Sequence, residues 1–150
     1  MRFKTLGDVF EHLTEAHQAL AKLYKRLVAN CDSERTRMML HYLAEHEQQQ
    51  AEHFTQYLKA SHPELGTWFD KAVDTDFIHG LNRVSLETDV SQQDVLELAL
   101  KLDNELLAEL EALVPLCPGP SSRELLEGTL KEARARQHQL VHQTMRMEDL

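Results

Sequence analysis

The second half of this 150-residue chain repeats the first at an offset of 86 residues. Asp8-Val9-Phe10-Glu11 returns as Asp94-Val95-Leu96-Glu97, Leu20 as Leu106, Leu27 as Leu113, Val28 as Val114 and Cys31 as Cys117. A repeat of this kind restricts the chain to an architecture built from two equivalent halves. Polar residues are matched too. His17 falls opposite Asp103 and, at an offset of 88, Glu47 and Gln50 fall opposite Ala135 and His138. Polar residues at matched places inside apolar stripes predict a site at the centre of the molecule.

The apolar positions recur at helical spacing in four long segments. A first helix is predicted from Asp8 to Asn30, with Asp8 as N-cap, Glu11 closing a capping box, and Val9, Leu13, Ala16, Leu20, Leu23 and Leu27 as its inner stripe. A second runs from Ser33 to Ala60; Met39, Leu40, Leu43, Phe54, Tyr57 and Leu58 face inward, with Glu47 and Gln50 on the same face. His62-Pro63 ends it. Residues 61–92 form a crossover too long for a structureless loop, and Trp68, Phe69, Val73, Phe77, Ile78, Leu81 and Val84 predict a short helix within it. The third long helix starts after Ser91 or Asp94, and Leu96, Ala99, Leu106, Leu110 and Leu113 share a face with Asp103. After Pro115, Pro118, Gly119 and Pro120, a fourth runs from Ser121 to Met147 with Leu126, Leu130, Val141 and Met145 around His138.

One domain over residues 1–150 follows, made of a hairpin at 8–60, the crossover, and a hairpin at 93–147. The formal charge of −9 with scattered Lys and Arg opposes a nucleic-acid partner, because phosphate neutralisation needs a concentrated basic face. No segment has the length and apolarity of a membrane span or leader, so a cytoplasmic location is the expectation. Two cysteines give no disulfide framework; Cys31 and Cys117 are expected reduced, one at each end of the bundle. Leu98, Leu100, Leu102 and Leu107 widen the apolar face of the third long helix, predicting a homodimer through it or a protein partner bound there. His12, His41, His46, His53, His62 and His79 are expected to be solvated surface residues.

The phrases HQALAKLY, LAEHEQQQAEHF, VLELALKLDNELLAEL and ARQHQLVH together resemble the rubrerythrin-like branch of the ferritin superfamily across all four helices. The resemblance implies an all-α, ferritin-like four-helix bundle of two hairpins joined by a long crossover. It also implies two central metal ions, held by a Glu from each of two helices and a Glu-x-x-His from each of the others. Here those places read His17, Glu47 with Gln50, Asp103, and Ala135 with His138. With Ala135 where the second bridging Glu belongs, an ordinary ferroxidase is not expected.

Two readings stay open. Glu47, Asp103 and His138, flanked by His17 and Gln50, could form an altered site for iron, manganese or zinc. Alternatively, the carboxylates pair with His17 and His138 in a metal-free polar core, leaving a helical interaction scaffold. Hemerythrin-like fragments, His41-x-x-x-Glu45 and His138-x-x-x-His142, lack the remainder of that pattern. No phosphate-binding glycine loop or nucleophile motif is present.

Overall fold

The computed structural model describes residues 2–60 and 62–148, for Glu148 the backbone alone. Four long helices dominate: α1 (Leu6–Val28), α2 (Glu34–Lys59), α4 (Gln92–Leu113) and α5 (Pro120–Glu148). A short helix α3 (Phe77–Leu81) lies in the crossover, as expected. The crossover also contains β2 (Trp68–Asp74), which pairs antiparallel with an N-terminal β1 (Arg2–Thr5). The strand pair departs from the sequence reading, which placed Trp68 to Val73 in the short helix. Its ladder joins segments far apart in the chain, and β2 is buried too unevenly to show a strand's alternation.

The duplication governs where helices begin. Thr5 and Ser91, 86 residues apart, are the N-caps of α1 and α4, and each accepts from the backbone N–H of an aspartate three residues on. Asp8 is therefore not the cap that the spacing suggested; it is the acid that closes the box by accepting from the Thr5 N–H. Asp94 does the same for Ser91. Likewise α2 starts at Glu34 and α5 at Pro120, the same interval. Even a tertiary detail recurs: Arg37 donates to the Cys31 carbonyl (2.9 Å) and Arg123 to the Cys117 carbonyl (3.3 Å). Cys31 and Cys117 are buried free thiols in the two turns that these arginines clamp.

The crossover returns along the whole bundle. Near its start, the Leu6 N–H donates to the Thr67 carbonyl, and the Leu65 carbonyl passes so close to Gly7 that an added Cβ would meet it at 3.0 Å. In its middle, the Arg26 guanidinium donates to the carbonyls of Leu81 and Val84. At the far end, the Asp32 N–H donates to the Thr88 carbonyl and the Thr36 hydroxyl to that of Val90. His12, expected on the surface, is buried where the crossover crosses α4. Its Nε2 lies 3.0 Å from Glu109 Oε1, the Thr75 hydroxyl donates to the same carboxylate, and Phe3 packs on the imidazole ring. A histidine accommodated by a carboxylate on another helix carries no local signature.

The core joins the inner stripes of α1, α2 and α4 as expected. On α5 the stripe begins as expected, at Leu126 and Leu130, and then departs from it. The inward residues are Leu140 and Thr144, while Met145 is 53% exposed. Thr144 tolerates full burial because its hydroxyl donates back to the Leu140 carbonyl within its own helix. The added breadth of α4 is largely used inside the chain. Leu102 sits with Phe77 and Leu81 around one pocket, and Leu107 faces the bundle centre. A homodimer through α4 would have to be built on the half-buried Leu98 and Leu100.

The paired caps make a direct test. Thr5→Ala and Ser91→Ala should each cost about 1 kcal/mol, and the double variant should lose the sum, because the two capping boxes share no residue. Urea unfolding of the four proteins measures this.

Candidate functional site

The polar residues converge on a small cavity, about 30 Å³, at the middle of the bundle. α1 contributes His17, α2 contributes His46, Glu47 and Gln50, α4 contributes Asp103, and α5 contributes Arg136 and Gln137. Each arrives by helical geometry. Glu47 follows Leu40 and Leu43 along the inner face of α2, and Asp103 lies between Ala99 and Leu106 on that of α4. Glu47 is 5% and His17 7% exposed, and His17 Nδ1 lies 2.5 Å from Glu47 Oε2. With Glu47 ionised, that imidazole nitrogen carries the proton and donates. The His17 ring also stacks on Phe54 at 5.6 Å between centroids.

His17, Glu47, Gln50 and Asp103 are thus brought together as the sequence indicates. His138 is not. It lies on the exposed side of α5 beside His142, with ring centroids 5.4 Å apart. Ala135 is exposed with it. The matching of the halves at an offset of 88 fails because α5 begins 86 residues after α2, without a two-residue slip. At the constant interval, Ala133 corresponds to Glu47 and Arg136 to Gln50, and both line the cavity. Arg136 is the central residue that sequence reasoning missed, and carrying the 86-residue offset through the last helix would have found it. His46, expected on the surface, also lines the cavity.

The electrostatics follow from this set. Burial, together with the neighbouring Glu47 charge, raises the pKa of Asp103 to about 6, although His17, Arg136 and a hydrogen bond from Gln137 pull it down. Burial lowers the pKa of Arg136, opposed by Glu132, Asp103 and Glu47. A guanidinium nevertheless stays charged at neutral pH. It also lies 6.0 Å from the centroid of the Phe54 ring, at cation–π range. Burial pushes the pKa of His46 down and favours its neutral form. Burial and the two carboxylates push the pKa of the Tyr24 hydroxyl well up. Gln50 Oε1 is buried without a hydrogen-bond donor among the described residues.

The set does not fit a dimetal centre. The last helix presents a methyl group and a guanidinium where a carboxylate and an imidazole would be needed, and a fixed cation repels metal ions. The His17–Glu47 bond ties up one carboxylate oxygen and one imidazole nitrogen of the set. Among the described residues, no group of three or more His, Cys, Asp or Glu side chains has metal-holding geometry.

The raised pKa of Asp103 has a determined sign. Between about pH 4 and pH 6 the folded protein holds a proton on Asp103 that the unfolded chain releases, so stability is lost as pH rises through that window. Asp103→Asn should remove that loss and leave the variant more stable at pH 7, by up to about 3 kcal/mol, with little difference at pH 4. Thermal unfolding of both proteins at the two pH values is the check; equal stability at pH 7 would refute it.

No family profile and no curated protein matches the chain. Among solved structures, a Thermotoga maritima protein described as a candidate ferritin-like diiron-carboxylate protein superposes with a TM-score of 0.55. The two are 14% identical, and the match covers 94% of this chain and 95% of that one. Among the described residues, no helix is long and apolar enough to cross a membrane. The fold is all-α and ferritin-like.

Proposed function

We propose that this chain is a metal-independent member of the ferritin-like folds, a binding or assembly scaffold whose centre is a self-neutralising polar core. The observation that carries the proposal is Arg136. Two carboxylates, Glu47 and Asp103, share one permanent cation and a hydrogen-bonded imidazole, so side chains compensate Glu47 and, in part, Asp103 in the space where a dimetal protein uses metal ions. Buried charges persist only when they are compensated in this way. A diiron-carboxylate description belongs to the Thermotoga protein; in this chain Ala133 and Arg136 argue against the corresponding oxygen chemistry.

A second reading rests on Gln50 Oε1, an acceptor that lacks a donor. An altered site for iron, manganese or zinc could recruit it with Glu47, Asp103 and His17. That reading requires the Arg136 guanidinium to swing away from the cavity.

Elemental analysis separates the two. Tag-free protein, as purified and after incubation with iron, manganese or zinc, should carry no stoichiometric metal. The pair Ala133→Glu and Arg136→His, which restores Glu-x-x-His at the cavity, should gain metal while retaining its helical circular dichroism. Stoichiometric metal in the parent that disappears on Glu47→Ala would overturn the proposal.

A further inference from the structure

A groove runs between α4 and the crossover. Two concavities, about 510 and 300 Å³, adjoin at the Lys101 side chain, which lines both. In the first, Leu86, Glu87 and Val90 of the crossover meet Asp94, Glu97 and Leu98 of α4. In the second, Asp76 to Val84 meet Lys101 to Glu105. The two walls therefore run antiparallel, and from Asp94 to Glu105 the groove is about 16 Å long, roughly three turns of helix.

Its floor is apolar and partly open. Val84 and Leu86 of the crossover and Leu98 of α4 are half-buried, alongside the buried Leu81 and Leu102. Its rim is acidic. Asp76, Glu87, Glu97 and Glu105 are exposed, and among the described residues no cation pairs with any of them. Asp74, Glu34 and Glu111, elsewhere on the surface, each have an arginine. Lys101 is the only basic side chain lining the groove among the described residues. Asp94 is engaged in the capping box of α4, and Glu97 accepts from the neutral Gln93 at 3.5 Å. Uncompensated carboxylates thus stand along both walls, two on each.

We infer that this groove docks an amphipathic helix of a partner protein, with lysines or arginines flanking its apolar stripe. The stripe covers Val84, Leu86 and Leu98, and the basic flanks meet Asp76 and Glu87 on one wall and Glu97 and Glu105 on the other. Carboxylates spread along the groove suit such a partner, because each pairs with a different cation of the docked helix. A second copy of this chain is the poorer occupant, since each copy carries a formal charge of −9 and brings like charge to the rim. The inference rests on the scaffold reading and names its partner. The groove shares no residue with the central cavity, so the metal measurement and the docking measurement fail independently.

The probe is a fluorescent peptide of about 14 residues, about four turns of helix, with leucines on one face and lysines on the other. Its controls are a scrambled peptide of the same composition and a peptide with glutamate in place of lysine. Fluorescence anisotropy against the full chain should show saturable binding of the amphipathic peptide, at least about tenfold tighter than the scrambled one, and none of the acidic one. Leu98→Lys should abolish it. Glu87→Lys with Glu105→Lys should weaken it about tenfold or more. Glu124→Lys with Glu127→Lys, an equal charge change on exposed positions of α5 outside the groove, should weaken it far less. Absence of saturable binding, equal binding of the scrambled peptide, or equal loss from the two lysine pairs would each overturn the inference. Dimerisation of the parent in sedimentation that Leu98→Lys abolishes would overturn it too, by assigning the groove to a second copy. Should Leu98→Lys unfold, the two lysine pairs, all on exposed positions, decide.

Discussion

Two carboxylates placed midway along a helical bundle have to be neutralised where they stand, and that requirement organises the centre of this molecule. Glu47 is met by His17 at 2.5 Å, tying α1 to α2. Asp103 responds partly by shifting its pKa to about 6, so that near neutrality some of its charge can be given up. Arg136 supplies a permanent positive charge from α5, the one long helix without a carboxylate or imidazole in the cavity. All four long helices thus meet in one charge balance. A buried pair seldom adds net stability over an apolar core, but stripping Glu47 of its partners would be strongly destabilising, whereas the raised pKa of Asp103 marks its charge as the one only partly compensated. The balance acts as a constraint on helix register.

The same register explains the position of a neighbouring cleft between α2 and α5. With Arg136 turned inward, Glu132 and Gly128 follow at intervals of one turn toward the N-terminus of α5, alongside Phe54 and Tyr57 of α2. Gly128 lines that cleft without a side chain, and nothing lies within 4 Å of where its Cβ would stand. Polar centre and aromatic cleft are consecutive stretches of one α2–α5 seam, divided by the Phe54 ring over which the guanidinium sits. At the opposite side of the bundle, His12, Glu109 and Thr75 join α1, α4 and the crossover in a second polar contact, which holds the connection in place.

Much of this was legible in the residues. Helical spacing identified all four long helices, and the repeat identified two hairpins with a crossover between them, because both signals are local or periodic. His17, Glu47, Gln50 and Asp103 stood out as polar interruptions of otherwise apolar stripes, and the structure brings them together. The last helix was misread from its midpoint onward. Its stripe is diluted by Thr144 and Arg136, whereas His138, Val141 and Met145 offer a competing face one residue later. The β1–β2 pair and the burial of His12 were invisible for a different reason. Each depends on a partner distant in sequence, and no short-range period encodes it.

The central claim is that Arg136 compensates the buried Glu47 and the half-buried Asp103 through direct electrostatic coupling. A double-mutant cycle on Glu47→Gln and Arg136→Met, read by urea unfolding at pH 7 and low salt, measures that coupling most directly. If the cation balances the carboxylate, the double variant will be destabilised by less than the sum of the single ones, with an interaction energy of about 0.5–3 kcal/mol. Strict additivity would contradict it: Arg136 would then be a bystander, and the carboxylates would need some other source of positive charge.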